Sequence, residues 1–315
     1  MRVLNITQHD WSNYSHENAN ALRSVGIWCE DIKENPHWAV YPSQSTIVST
    51  RYELEERIAG ADLVQIFHTD LRMWELCKKV GQNNVIIYHT GTKYRKDPSM
   101  YKELFRGVLG VVCDTPDLIG LNRKKEPLIS MTVNTTLLTC NKPVKKPYIV
   151  AHYPSKSHVK GTKKVEKVVR SAHKELNDFV FKMSMERVNY YEQIQRVKEC
   201  DIYIEMLSPK QDGYNYGAWG TSALEAAALG KVVITCDRYA GIYKKNYGAN
   251  PPFLIAHTQP ELRKVLLKLL MLKPSEIRIL QDKHRDYILK YHSHLETGYR
   301  LKKLYKKLCP ALLRT

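Results

Sequence analysis

A chain of 315 residues is too long for one ordinary core and suits two domains of about 100 to 200 residues each. With 43% hydrophobic and 26% charged residues and no low-complexity tract, it reads as a folded globular protein, which excludes extended disorder. Lys and Arg number 49 against 32 Asp and Glu, and a formal charge of +17 calls for an anionic partner (nucleotide diphosphate, acidic membrane surface or nucleic acid) or else for a surface of solvated lysines.

The chain opens Met1-Arg2-Val3-Leu4-Asn5-Ile6, an apolar run too short for a signal peptide, so it is taken as a first strand and the expected location is cytoplasmic. Further strands are predicted over 27–32, 63–67, 84–88 and 110–113, as continuous apolar runs that suit strands buried on both faces. Helices are predicted over 17–24 and 71–80, with Gly26 and Gly81 where C-terminal caps belong. Asn141-Lys142-Pro143-Val144-Lys145-Lys146-Pro147 has two prolines, three lysines and no apolar periodicity, which marks 142–147 as a linker after an N-terminal domain of 1–141.

A second alternation follows: strands over 148–152, 179–183, 202–206, 232–236 and 253–255, with helices over 163–176, 191–199, 222–229 and 261–272. Two α/β halves, each a parallel sheet flanked by helices, account for this pattern. The second domain is assigned to 148–290, and 291–315 is expected to be a helical tail packing back toward the first domain. Residues 275–308 are amphipathic, with Ile277, Leu280, Tyr287, Ile288 and Tyr291 at roughly helical spacing. The basic end, Arg300, Lys302, Lys303, Lys306 and Lys307, is expected to complement the helix dipole, the alternative being contact with an acidic surface. The greasiest segment, 265–272, is brief and carries Lys268, so no membrane span is expected. Seven scattered cysteines, odd in number and without C-x-x-C spacing, support neither a zinc site nor a disulfide framework.

In an open α/β sheet, ligands bind beyond the C-terminal ends of the strands, where loops feed helix N-termini. The loop Gly213-Tyr214-Asn215-Tyr216-Gly217-Ala218-Trp219-Gly220-Thr221-Ser222 opens onto a helix, and its glycines let backbone approach an anion. Thr221 and Ser222 are expected to cap that helix while their hydroxyls reach phosphate. Glu225, placed in its first turn, suits a ribose hydroxyl or an ordinary capping role. Ser155-Lys156-Ser157-His158-Val159-Lys160-Gly161-Thr162 is a second strand exit leading to a helix, with lysines that serve phosphate as movable point charges or form a solvated face.

His152-x-Pro154-Ser155, Lys160-Gly161-Thr162, Glu186-Arg187-Val188, the run Glu199 to Glu205, Gly220, and Leu224-Glu225-Ala226-Ala227-Ala228-Leu229-Gly230-Lys231-Val232-Val233-Ile234 together resemble glycosyltransferase family four, retaining enzymes of the GT-B fold. The first half resembles it more loosely, through Ala61-Asp62-Leu63-Val64, His89-Thr90-Gly91 and Thr115-Pro116-Asp117-Leu118. The resemblance implies two Rossmann-like domains facing across a cleft and a UDP- or GDP-linked sugar donor as substrate, with no metal or other cofactor. It implies that Lys160 and Gly161, with Ser155 and Lys156, hold the diphosphate. Gly217, Gly220, Thr221 and Ser222 would contact phosphate through backbone, Glu186, Arg187 and Val188 would lie against the nucleobase, and Glu225 would bind ribose. His89 would contact the transferred sugar, so His89, Lys160 and Glu225 form the expected catalytic set. Asp10, Trp11 and Arg95 are expected on the acceptor side, where a flat indole suits a sugar face and a buried one suits a core.

The sequence departs from the family in two places. Gly217 stands where many members carry a second glutamate, eight residues before Glu225, and Lys156 stands near the position of a common arginine. No Asp-x-Asp motif is present. The expected acceptor is a glycan or another hydroxyl compound, with peripheral contact to an anionic membrane as a further expectation. A nucleotide-sugar epimerase of the same fold and a basic nucleic-acid-binding protein are the alternatives. The second lacks any RRM, KH or zinc-finger pattern, so nucleic acid is not the expected partner. Walker and G-x-G-x-x-G motifs are also missing.

Overall fold

The computed structural model describes residues 1–121, 126–211, 214–215 and 218–313. The chain forms two compact units, one of Met1–Asn134 with His292–Thr315 and one of Thr135–Tyr291. The 142–147 stretch, expected as a linker, therefore lies inside the second unit, and the chain crosses from one unit to the other twice.

The first unit contains β1 (Arg2–His9), α1 (Tyr14–Ser24), β2 (Trp28–Asn35), β3 (Thr46–Ile47), α2 (Arg51–Gly60), β4 (Leu63–Ile66), α3 (Leu71–Lys79), β5 (Val85–His89), α4 (Gly91–Lys96), α5 (Lys102–Arg106) and β6 (Gly110–Cys113). Its sheet runs β3-β2-β1-β4-β5-β6, every pair parallel, with Val3 opposite Cys29 on one side and Leu63 on the other. Strand residues alternate between two apolar layers. Leu4, Ile6, Ile66 and Ile87 pack with Leu54, Ile58 and Met73 on one face, while Val3, Leu63, Ile86 and Val112 pack with Leu22 on the other. Burial on both faces explains why these strands are apolar without a break.

The second unit contains β7 (Tyr148–His152), α6 (Ser157–Lys160), α7 (Thr162–Glu175), β8 (Phe179–Met183), α8 (Tyr190–Glu199), β9 (Ile202–Ile204), a short antiparallel hairpin β10 (Lys210–Gln211) and β11 (Tyr214–Asn215), α9 (Thr221–Ala228), β12 (Val232–Thr235), α10 (Ala240–Tyr247), β13 (Leu254–Ile255), α11 (Gln259–Met271) and α12 (Pro274–His292). The last helix, α13 (His294–Leu308), belongs to the first unit. The second sheet is parallel with order β13-β12-β9-β7-β8.

Gly26 and Gly81 sit just past the caps of α1 and α3 with φ of 77° and 73°, as their positions predict. The helical stretch predicted over 275–308 divides at Ser293, whose extended backbone separates α12 from α13. Helices α2, α4, α5, α6 and α10 were not expected. The first of these buries only Leu54 and Ile58, too little for a periodic signal, although Thr50 accepts a hydrogen bond from the Glu53 amide at its start. Helix α13 packs its Leu301 and Tyr305 into the layer beside α1, so closely that a Cβ on Gly298 would lie 2.2 Å from the Ala21 carbonyl oxygen. Among the described residues, no helix is long and apolar enough to cross a membrane.

Candidate nucleotide-sugar site

Each sheet has one place where its strand order reverses, between β1 and β4 in the first unit and between β7 and β9 in the second. Loops leaving neighbouring strands in opposite directions open a crevice there, so the reversal is where a doubly wound sheet binds ligands.

In the second unit the two loops at the reversal are tied together by backbone. Leu207, after β9, donates its amide to the Lys160 carbonyl at 3.1 Å. Gly161 adopts φ of 70°, which ends α6 and lets α7 start at once, and a Cβ there would lie 2.0 Å from the Leu207 carbonyl oxygen. Beneath the loops, His152 Nδ1 donates to the Ile204 carbonyl (2.7 Å) and Nε2 accepts from the Thr162 hydroxyl (3.0 Å). Burial holds this imidazole neutral by lowering its pKa to about 4.

The chemistry converges on Glu205, just past β9 and 1% exposed. Its Oε1 accepts from Lys160 Nζ at 2.5 Å, from the Gly220 amide at 2.9 Å and from the Ser222 hydroxyl at 3.4 Å. Its Oε2 accepts from the Thr235 hydroxyl at 2.6 Å. A buried carboxylate needs such partners, and these come from three segments of the unit, α6, the start of α9 and β12. The result is a lysine held at the start of α9, where the helix dipole also favours an anion. A Cβ at Gly220 would crowd the pair, coming within 3.1 Å of Glu205 Oε1 and 3.3 Å of Lys160 Nζ.

Lys160, Gly161, Gly220 and Ser222 are thus brought together, by a residue that was not singled out from sequence. A glutamate directly after the apolar Ile202-Tyr203-Ile204 was the available signal, since a carboxylate there demands a cation. Two local expectations are corrected. Gly220, not Thr221 or Ser222, is the N-cap of α9, and the Ser222 hydroxyl turns to Glu205 instead. Glu225 lies beyond the first turn of α9, which contains no acid, because the helix begins at Thr221. Glu225 is half-buried and acts electrostatically on the Tyr203 phenol, whose pKa is raised chiefly by burial and further by Glu205 and Glu225.

Ser155 and Lys156 are exposed in the loop after β7, with Lys156 at the N-cap of α6. Glu186, Arg187 and Val188 occupy the loop after β8, where Glu186 pairs with Arg196 at 2.7 Å. Gly217 lies outside the described residues.

In the first unit, His89 ends β5, fully buried, with Nδ1 2.9 Å from the Thr69 hydroxyl and its ring stacked 3.6 Å from Tyr94. Asp10 is also buried, and its carboxylate accepts from the Ser15 (2.8 Å) and His16 (3.1 Å) amides at the start of α1. These bonds satisfy backbone amides at the start of α1. Trp11 is 51% exposed, stacks on His9 at 5.5 Å and meets His37 edge-on. Trp38 and Tyr41 extend this aromatic group after β2. Arg95 is drawn inward by an ion pair with Asp117 and a 3.3 Å bond to the Thr115 hydroxyl, leaving its side chain 8% exposed. Beside them, burial raises the Asp114 carboxyl to about 7 against the opposing pull of Arg95.

No family model matches this chain, and no curated protein matches it. Solved structures do. Anabaena HepE, in complex with UDP and glucose, superimposes with a TM-score of 0.69 at 9% identity over 98% of this chain and 100% of its own. Sucrose-phosphate synthase from Thermosynechococcus elongatus gives 0.66 at 12% identity, covering 99% and 100%. A UDP-N-acetylglucosamine 2-epimerase from Listeria monocytogenes gives 0.56 at 10%, covering 99% and 97%. The chain therefore has the fold of GT-B glycosyltransferases, two Rossmann-like domains each with a parallel sheet.

Proposed function

We propose that this chain is a glycosyltransferase that takes a sugar from a UDP- or GDP-linked donor, in the manner of family four, with retention of configuration and without a metal. The observation that carries this reading is the Lys160 ammonium fixed by buried Glu205 at the start of α9, on the strand-order reversal of the second sheet. An ammonium has three N–H groups, so a lysine anchored by one of them still offers others to a leaving diphosphate. The glutamate behind it sets its position before substrate arrives, and such preorganised charge is what stabilises a leaving group in the transition state. Glu225 is assigned to the ribose hydroxyls, the loop of Glu186, Arg187 and Val188 to the base, and Ser155 and Lys156 to the rim of the phosphate site. Acceptor recognition is assigned to the first unit, with Trp11 as a sugar-stacking face and His89 beside the transferred sugar.

HepE and the other solved glycosyltransferases share this fold, and the HepE structure carries UDP and glucose. The epimerase likeness favours a second reading, in which the nucleotide-sugar is converted without an acceptor. A panel of UDP- and GDP-sugars tests both. Donor-dependent thermal stabilisation that is lost in Lys160→Ala and Glu225→Ala is the expected result, and no stabilisation by any donor refutes the reading. Sugar release that ignores every acceptor favours the epimerase, and the anomeric configuration of a transfer product, read by NMR, decides retention.

A further inference from the structure

Helices α7 and α11 pack side by side on the second unit, and between them lies a groove of about 640 Å³. Val168, Leu267 and Met271 line it, Val168 buried and Met271 67% exposed. Its walls carry Lys167, Lys264 and Lys268, all exposed. Lys164 and Lys174 continue the row along α7, because positions three, seven and ten residues apart share one helix face.

The pairing of charges on this face is selective. Arg170 is bonded to Glu166 at 2.7 Å, and Arg263 is paired with Glu175. Among the described residues, none of the five lysines lies within 4.0 Å of a carboxylate. The planar donors suited to a single defined carboxylate or phosphate are thus spent internally, while the compact, mobile ammoniums remain outward. Lysine stems can lie along apolar surface with their heads in the polar layer above it. A basic face on helices lying side by side, with Met271 exposed among the lysines, is complementary to the surface of an anionic bilayer.

We propose that the α7–α11 face docks this protein onto an anionic phospholipid membrane, with Met271 entering the headgroup layer and Lys164, Lys167, Lys174, Lys264 and Lys268 facing lipid phosphates. This inference does not depend on the donor site. It is tested by sedimentation of the full chain with vesicles of phosphatidylglycerol and phosphatidylcholine, against vesicles of phosphatidylcholine alone. The wild-type chain is expected to bind only the first. Reversing three charges as Lys167→Glu, Lys264→Glu and Lys268→Glu is expected to weaken binding by about a hundredfold. The same number of reversals on α13, at Lys303, Lys306 and Lys307, is expected to leave most of the binding intact. Met271→Asp, at an exposed position that does not disturb the core, is expected to weaken binding severalfold. Absence of binding to the anionic vesicles, equal binding to both kinds, or equal loss from the two sets of reversals overturns the proposal.

Discussion

Lys160 and Glu205 meet at 2.5 Å, with the carboxylate sealed from solvent and the ammonium at the edge of it. Loss of one partner leaves the other charge buried without its counter-ion. Glu205→Gln is therefore expected to lower unfolding free energy by about 2 to 4 kcal/mol in urea titrations. A double-mutant cycle with Lys160→Met is expected to give a coupling above about 1 kcal/mol, and strict additivity contradicts the pairing.

Two glycines at the same site separate folding from binding. Gly161→Ala forces a Cβ onto the Leu207 carbonyl in a left-handed conformation and is expected to cost about 3 kcal/mol or more of stability. Gly220→Ala meets only side-chain ends, at 3.1 and 3.3 Å, and is expected to cost about 1 kcal/mol while weakening UDP binding roughly tenfold. Isothermal titration beside thermal melts checks both, and the reverse ranking refutes the contrast.

Trp11, half-exposed and stacked on His9, is expected to act on the acceptor alone. Trp11→Ala should leave stability within about 0.5 kcal/mol and nucleotide affinity unchanged while raising KM for a carbohydrate acceptor severalfold. An altered UDP affinity counts against it.

Three buried histidines make stability depend on pH. Burial lowers His152 and His284 to about 4 and His292 to about 3, below the ordinary 6.5 of the unfolded chain. Between these values the unfolded chain binds more protons, so stability present above 6.5 is lost as pH falls toward 4. Each group contributes a slope of up to about 1.4 kcal/mol per pH unit. Asp114, raised from 3.8 to about 7, acts oppositely, since its contribution is full at low pH and is lost as pH rises through about 7. Urea titrations at several pH values are expected to show stability rising from pH 4 to 6.5, and more steeply in Asp114→Asn. A flat profile is incompatible with buried neutral imidazoles.

The contact between α1 and α13 yields a test of packing. Gly298→Ala places a Cβ against the Ala21 carbonyl and the Val25 side chain, at 2.2 and 2.8 Å. It is expected to destabilise the first unit by about 2 kcal/mol or more, whereas Ala substitution at exposed Tyr299 on the same helix should cost less than about 1 kcal/mol.

Both sheets were legible because each strand is apolar on two faces, so Val3 and Leu4 announce a strand although they point into different layers. Short helices with one or two buried positions, such as α2, lack that redundancy. At the candidate donor site, Lys160 and Gly220 could be read from spacing, because glycine and lysine are marked by their conformational and charge requirements. Glu205 could not be separated from its strand, because its importance lies in partners contributed by residues 15 to 45 positions away. The start of α9 was misplaced by the same limit. Ser222 resembles a cap in sequence, but a buried carboxylate competes successfully for its hydroxyl.

Because His292–Thr315 belong to the same unit as Met1–Asn134, the layer beside α1 is filled only once α13 has left the ribosome. The intervening unit has no such wait, since Thr135–Tyr291 is continuous and can close as soon as it is made. The segment Thr135–Tyr291 can thus finish folding before the unit whose first part precedes it in the chain. A chain cut before α13 would lack Leu301 and Tyr305 from the apolar layer beside α1.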